Sequence, residues 1–124
     1  MDHSVKNRRI RAWMPVAVWT FIILIFSVLP GKTLPDVATG HLDKVFHFFV
    51  YFLLSILLIR GFRLSFGGII PLKYILFILI LGWGYGILME LVQFAIPGRE
   101  PSVLDAAANV AGVLFGITLR KLAI

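Results

Sequence analysis

The sequence predicts an all-α integral membrane protein, a four-helix bundle formed by a single transmembrane domain over residues 1-124. Three observations predict this fold: the mean hydropathy is +0.96, only 15% of the residues are charged, and the apolar residues fall into four long segments. Such a composition is outside the range of soluble domains. Most of the formal charge of +6 should belong to loops on the cytoplasmic side of the membrane. A nucleic-acid partner, which such a charge would suggest in a soluble protein, is therefore not expected.

The four apolar segments cover residues 13-29, 44-59, 69-96 and 103-119. A span needs about 20 apolar residues, and the third segment is long enough to tilt. No small-residue cleavage site follows the first segment, so a span is favoured over a signal peptide. The fourth is rich in alanine and glycine, and a short outer turn, "PGREPS", precedes it. The chain has no cysteine, which excludes disulfides and thiolate chemistry.

Basic residues predict the orientation of the chain. With four spans, the two termini and the loop between spans two and three share one side of the membrane. Nine of the twelve Lys and Arg residues lie on that side: Lys6, Arg8, Arg9, Arg11, Arg60, Arg63, Lys73, Arg120 and Lys121. The positive-inside rule therefore predicts a multi-pass protein of the cell membrane with both termini cytoplasmic. Most acidic residues fall on or near the outer side, where we expect the chemistry.

Polar residues inside the apolar segments recur at helical spacing. In "DKVFHFFVYF", Asp43 and His47 are four residues apart and share a helix face, with Tyr51 one turn further along. In "ELVQ", Glu90 and Gln93 share a face in the same way. Glu90 precedes the predicted end of its helix by six residues, which places it inside the membrane.

The fourth segment adds polar groups at the same depth. In "SVLDAAANVAG", Ser102 is the predicted N-cap, and Asp105 and Asn109 project together from the first turns. An isolated carboxylate at mid-membrane depth costs about 2.5 to 3.5 kcal/mol, so Glu90 should face the bundle and meet a partner. Arg99 and Lys44 are the nearest candidates.

Small residues predict close helix packing. Gly82 and Gly86 on the third segment, and Gly112 and Gly116 on the fourth, follow the GxxxG spacing that lets helix backbones approach. These glycine faces pack either within the chain or in a homo-oligomer.

The motifs "DKVFHFFVYFLL" and "ELVQFAIPGREPSVLDAAANVAGVLFG" resemble the VanZ-like family, which is named for a teicoplanin-resistance protein. The resemblance extends from Asp43 to Gly116. It implies a small multi-span membrane protein linked, in the family's namesake, to glycopeptide-antibiotic resistance, and it brings no established reaction. The polar signature that it implies comprises Asp43, Lys44, His47, Glu90, Gln93, Arg99, Asp105 and Asn109.

The leading hypothesis is an outward-facing polar pocket that binds or acts on a lipid-linked envelope precursor or another amphiphile. His47 or Glu90 would act as a general base, and Asp43 would orient the imidazole. The predicted binding residues are Lys44, Tyr51, Gln93, Arg99, Asp105 and Asn109. No evident serine or cysteine nucleophile accompanies them, and the sequence leaves open whether the protein is an enzyme and identifies no cofactor.

Three alternatives remain. A metal could bind Asp43, His47 and Glu90, but a histidine beside a carboxylate is more often a structural pair, so no metal is predicted. Glu90, Arg99 and Asp105 could instead form a structural ion-pair network in a non-catalytic assembly protein. Transport of protons or a solute would require an oligomer, because "FLLSILLI" and "YILFILIL" offer no polar path.

Overall fold

The described part of the chain forms four helices. The computed structural model describes residues 3–30, 41–100 and 102–121, and among these it contains no strand. The helices are α1 (His3–Val28), α2 (His41–Phe66), α3 (Leu72–Gln93) and α4 (Val103–Thr118). The all-α prediction is therefore confirmed. Lys32 and Asp36, between the first two apolar segments, lie outside the described residues.

The helix ends differ from those of the apolar segments. α1 begins at His3 and α2 continues to Phe66, so both helices include basic residues that hydropathy alone excludes. α3 ends at Gln93, before its apolar segment does, because the chain turns from Phe94 towards Gly98. Gly98 has a φ of 77°, a conformation that glycine adopts without strain. Glu90 is therefore three residues from the end of its helix.

Three helices, α1, α2 and α3, are long and apolar enough to cross a membrane. The shortest of them, α3, has 22 residues, which at about 1.5 Å per residue extends roughly 33 Å. α4 is also apolar but has only 16 residues, which makes it the shortest of the four helices. Large apolar side chains such as Phe21, Ile80 and Leu91 are exposed on the outside of the bundle. Such a surface suits lipid, and the chain is a membrane protein by the length and composition of these helices.

Helix α2 lies at the centre of the bundle. It packs against each of the other helices and most extensively against α4, whereas α1 and α4 are not neighbours in the described part of the chain. Buried apolar side chains from all four helices form the core: Ile23, Tyr51, Leu54, Leu58, Ile59, Phe62, Ile78, Met89 and Val113. The central position of α2 explains why its polar face can meet groups from α3 and α4 at once.

Glycines allow the close approach of the helices. Gly112 on α4 lies against the α2 backbone at Phe48 and Phe52, and Gly116 lies against the Ser55 side chain of α2. A Cβ at either position would collide with α2. Gly82 on α3 lies against Val113, where an added Cβ would be 2.7 Å from the valine Cγ2 atom. These glycines thus pack within the chain. A homo-oligomer remains a prediction.

Long-range hydrogen bonds connect the helix ends. At one end of the bundle Arg60 donates to the carbonyl of Arg11 (3.0 Å), and Arg63 donates to that of Arg120. At the opposite end Arg99 donates to backbone carbonyls of α1. The start of α1 and the end of α4 therefore lie at the same end of the bundle, opposite the polar residues described next.

Candidate functional site

Polar side chains from three helices meet at one end of the bundle. The first turns of α2 contribute Asp43, Lys44 and His47, and the first turns of α4 contribute Asp105 and Asn109. The last turn of α3 contributes Glu90. Helical spacing within each segment places these groups on inward faces, and the close packing of α2 with α4 brings them together. We call these six residues the polar cluster.

His47 lies at the middle of the polar cluster. Its Nδ1 atom is 2.9 Å from the Asn109 Oδ1 atom, which is a hydrogen bond between α2 and α4. Its Nε2 atom lies 3.5 Å from Asp43 Oδ1 and 4.0 Å from Asp105 Oδ2. The Glu90 Oε1 atom is 3.7 Å from Nδ1. A single imidazole is thus surrounded by three carboxyl groups.

Asp105 is the most deeply buried acid of the polar cluster, with its side chain only 4% exposed. Its Oδ1 atom lies 3.7 Å from the Lys44 ammonium and has no hydrogen-bond partner. The backbone N–H of Asp105 donates to the Ser102 hydroxyl (3.1 Å), which confirms Ser102 as the N-cap of α4. This cap fixes the first turn of α4 and hence the position of the Asp105 carboxyl group.

Glu90 is the only acid that α3 contributes to the polar cluster, and 7% of the residue is exposed. Its Oε2 atom accepts a hydrogen bond from the backbone N–H of Ser102 at 3.3 Å. Its Oε1 atom is buried without a hydrogen-bond partner. The expectation that Glu90 faces the bundle is confirmed, although its hydrogen-bond partner is a backbone amide rather than a basic side chain.

A cavity of about 310 Å³ opens beside the polar cluster, between α1, α2 and α3. Asp43, His47 and Glu90 form part of its wall, together with Gln93 and Arg99. The rest of the lining is mainly apolar: Trp19, Ile22, Ile23, Phe26, Phe46, Val50 and Met89, with Tyr51 and Ser27 adding hydroxyl groups. The cavity is therefore amphipathic, with charged groups from the start of α2 and the end of α3.

An apolar groove adjoins the cavity on the outside of the bundle. Trp19, Phe46 and Val50 line both spaces, and the groove continues along α2 past Leu42, Val45, Phe49 and Leu53. The Trp19 indole N–H donates to the carbonyl of Val50 at 3.0 Å, which fixes the ring between α1 and α2. The groove is thus an apolar path from the lipid-facing surface towards the charged groups.

Arg99 fastens the turn after α3 to the end of α1. Its Nε atom donates to the carbonyl of Leu29 at 3.0 Å, and its Nη2 atom donates to that of Phe26. Burial lowers the pKa of the guanidinium, and the carboxylates of Asp43 and Glu90 oppose that shift. Arginine stays charged in proteins, so Arg99 complements the negative end of the α1 dipole.

The predicted site residues therefore divide into two groups. The structure brings Asp43, Lys44, His47, Glu90, Asp105 and Asn109 together, and it places Tyr51, Gln93 and Arg99 around the adjoining cavity. Gln93 and Tyr51 are buried. The catalytic and binding roles assigned to these nine residues remain predictions.

Sequence reasoning missed the contribution of α1 to the site. Trp19, Ile23 and Ser27 line the cavity from this helix, and Ser27 is 6% exposed. These three residues follow a spacing of four, so they occupy one helix face. A tryptophan and a serine on one face of an apolar span were the available signal.

The metal alternative also takes a different form. Potential ligand atoms of Asp43, His47 and Asp105 all lie within 4.8 Å of one another. The sequence grouped Glu90, and not Asp105, with Asp43 and His47. Spacing along the chain does not reveal that Asp105 of α4 lies near the Nε2 atom, whereas Glu90 of α3 lies near the Nδ1 atom.

The fold and the site together define a small α-helical membrane protein with a polar cluster at one end of its bundle. The VanZ/LLP1 family model matches residues 4–124. The chain therefore belongs to the VanZ/LLP1 family, which confirms the resemblance noted in the sequence. Searches of curated proteins and of solved structures found no match.

Proposed function

We propose that this protein binds an amphiphile of the cell envelope, with the apolar chain of the ligand in the groove and its polar head beside the polar cluster. The observation that carries the proposal is the continuity of the two spaces, since Trp19, Phe46 and Val50 line both. An amphiphile requires such a site, with apolar side chains around its lipid chain and polar or charged side chains around its head.

The polar cluster faces the outer leaflet in this proposal. Most of the basic residues belong to the opposite end of the bundle, including Arg11, Arg60 and Arg120. Because basic segments stay on the cytoplasmic side, both termini are cytoplasmic and the turn at Arg99 is external. Envelope precursors and antibiotics that act outside the cell would reach the groove from that side.

Family membership supports the choice of ligands to test. The VanZ-like family takes its name from a teicoplanin-resistance protein. We therefore place lipid-linked envelope precursors and lipoglycopeptides first, and we propose glycopeptide resistance as the first phenotype to examine. The ligand head would contact His47 and Gln93, which line the cavity.

If the bound head reacts, His47 and Glu90 are the groups that could move a proton, and Asp43 would orient the imidazole. The 310 Å³ cavity lies directly against all three residues. Any reaction would use direct attack by water or a ligand hydroxyl. Binding without turnover requires none of these steps.

A structural role for the polar residues is the second candidate. Glu90 accepts the amide N–H of Ser102, and Arg99 donates to two carbonyls of α1, so both residues join elements of the fold. In that case the protein would be a non-catalytic membrane partner. Transport is less well supported, because Leu54, Leu58 and Ile59 fill the interior on the other side of Tyr51.

A thermal-shift screen of the detergent-purified protein tests the binding proposal. The ligands are a polyprenyl-pyrophosphate-linked precursor, phosphatidylglycerol and teicoplanin. Wild type is compared with Val50→Trp, which fills the junction of groove and cavity, and with Ile80→Trp, a matched change on the lipid-facing surface of α3. A ligand at 100 times its Kd stabilises the folded state by about 2.7 kcal/mol.

The proposal expects at least one amphiphile to raise the melting temperature of wild type and Ile80→Trp but not of Val50→Trp. Glu90→Gln should weaken the same shift while the protein still elutes as a folded species. Equal shifts in all variants would contradict binding in the groove. A strongly destabilised Glu90→Gln protein, with no ligand effect on wild type, would favour the structural role.

A further inference from the structure

The imidazole of His47 has a well-defined orientation. The Asn109 Oδ1 atom is a hydrogen-bond acceptor 2.9 Å from Nδ1, so the Nδ1 atom carries the proton of this hydrogen bond. The Nε2 atom consequently points to the other side, between the carboxyl groups of Asp43 and Asp105. With a neutral imidazole, the Nε2 lone pair faces two carboxyl groups, and a proton or a cation between them would stabilise this arrangement.

The distances around Nε2 are longer than those of typical hydrogen bonds. They are 3.5 Å to Asp43 Oδ1 and 4.0 Å to Asp105 Oδ2, whereas hydrogen bonds to nitrogen fall at about 2.7 to 3.2 Å. Two ligands of a tetrahedral metal ion with bonds of 2.0 to 2.2 Å lie about 3.3 to 3.6 Å apart. The Asp43 distance is within that range, and a small side-chain movement brings Asp105 into it.

Burial supplies independent support. The Asp105 side chain is only 4% exposed, and its Oδ1 atom is buried with no hydrogen-bond partner. Buried carboxylates are normally hydrogen-bonded, paired or bound to a metal, because loss of hydration is costly. Lys44 lies 3.7 Å from this Oδ1 atom, and its side chain is 36% exposed. The other carboxyl oxygen, Oδ2, is the one that lies 4.0 Å from Nε2 and could bind an ion.

We propose that Asp43, His47 and Asp105 bind a divalent metal ion through two carboxylates and the Nε2 atom of the imidazole. One nitrogen and two oxygen donors suit Zn²⁺ or Mn²⁺. Asn109 is a positioning residue, because it accepts the other ring N–H and fixes the tautomer, as the outer partners of metal-bound histidines commonly do.

The position of the site gives the ion a role. Three protein ligands leave coordination positions open, and Asp43 and His47 line the cavity. An oxygen of a phosphate or carboxylate head, or a water molecule, can take such a position. The ion would also neutralise the charge of Asp43 and Asp105 at this end of the cavity, which otherwise repels an anionic head. Metal binding itself does not depend on the amphiphile proposed above. A bound ion would occupy Nε2 of His47 and leave Glu90 as the group that could move a proton.

Metal titration of the purified protein tests the inference. The protein is stripped with a chelator and titrated with Zn²⁺ and with Mn²⁺ by calorimetry, without added lipid ligand, and bound metal per chain is measured after desalting. Co²⁺ provides a spectroscopic probe, since its visible absorption reports nitrogen and oxygen coordination. The variants are Asp43→Asn, His47→Gln and Asn109→Leu, with Glu90→Gln as the matched control.

Glu90 is a suitable control because it is another buried acid of the polar cluster, but it lies 3.7 Å from Nδ1 rather than near Nε2. The inference expects one ion per chain. Asp43→Asn and His47→Gln should weaken binding at least 100-fold, Asn109→Leu should weaken it 10- to 100-fold, and Glu90→Gln should change it less than about fivefold. Each variant must elute like wild type.

Two results would overturn the inference. One is less than a tenth of an ion per chain for both metals, which would leave a second imidazole proton as the charge between the acids. The other is equal binding by wild type and by folded Asp43→Asn and His47→Gln proteins, which would place the ion elsewhere. Neither result bears on the Val50→Trp experiment, so the metal site and amphiphile binding can fail separately.

Discussion

At the scale of single residues, His47 and Asn109 decide how the polar cluster is organised. Their 2.9 Å hydrogen bond joins α2 to α4. It also sets the orientation of the imidazole, with Nδ1 towards Asn109 and Nε2 towards Asp43 and Asp105. Asn109 is 1% exposed, and its Nδ2 atom is buried without a hydrogen-bond partner. Burying the Nδ2 atom without a partner costs free energy. An apolar residue of similar size would avoid that cost but could not make the hydrogen bond to His47.

Asn109→Leu should lower the free energy of unfolding by about 1 to 3 kcal/mol, because it leaves the Nδ1 atom of His47 buried and unpaired. Denaturant unfolding followed by circular dichroism measures the change. Leu114→Ala, at a lipid-facing position of α4, is the control and should have a smaller effect. An Asn109→Leu protein as stable as wild type would show that this hydrogen bond does not stabilise the bundle.

Arg99→Lys should release the end of α1. A lysine ammonium cannot reproduce the Nε and Nη2 pair that donates to Leu29 and Phe26, so we expect a loss of about 1 to 2 kcal/mol. Hydrogen exchange should accelerate in the last turn of α1 and stay unchanged in the last turn of α4. An unchanged hydrogen-exchange rate in the last turn of α1 would mean that the Arg99 hydrogen bonds do not stabilise the end of this helix.

Residue spacing predicted part of this organisation. The spacing of four between Asp43 and His47, and between Asp105 and Asn109, correctly placed each pair on one helix face. Contacts between helices could not be predicted, because spacing does not fix the rotation and height of one helix relative to another. The hydrogen bond from the Ser102 amide to Glu90 and the cavity wall contributed by Trp19 are examples.

At the scale of elements, the contact between α2 and α4 controls the site. Glycine at positions 112 and 116 lets α4 lie directly on the α2 backbone, and this closeness places Asn109 within reach of His47. The glycine spacing itself was visible in the sequence. The ends of the helices were not, because the apolar run after Gln93 continues although the backbone already turns.

Gly112→Ala should destabilise the bundle by at least about 2 kcal/mol, because the new Cβ would collide with the backbone of α2 near Phe48. Gly84→Ala is a matched control, since a Cβ there meets nothing within 4 Å. The control should be neutral or stabilising by up to about 1 kcal/mol, because alanine is the better helix former. Equal losses in unfolding experiments would argue against this α2–α4 contact.

At the scale of the whole molecule, charge and polarity are separated along the bundle. Arg60 and Arg63 bond to backbone carbonyls near the two chain ends, whereas the polar cluster and its cavity lie at the other end. Hydropathy and basic residues were enough to predict the membrane class and four helical segments. The cavity could not be predicted, because its volume depends on how all the helices pack.

The proposed orientation predicts which positions reagents can reach from outside the cell. The chain has no cysteine, so single cysteines give a clean background. In intact cells, a membrane-impermeant maleimide should label Glu100→Cys, in the exposed turn after α3. Lys121→Cys should react only after permeabilisation. The reverse pattern would invert the orientation and place the polar cluster at the cytoplasmic leaflet.

The most direct test of the central claim is photocrosslinking with an amphiphile that carries a diazirine in its apolar chain, followed by peptide mapping. The account predicts labels at Trp19, Phe46 and Val50, and predicts that excess unlabelled ligand with the same polar head removes them. Labels at Ile80 and Leu91, which face lipid on α3, should be weak and should persist under competition. Uniform labelling of all lipid-facing residues, unaffected by competition, would contradict a specific amphiphile site.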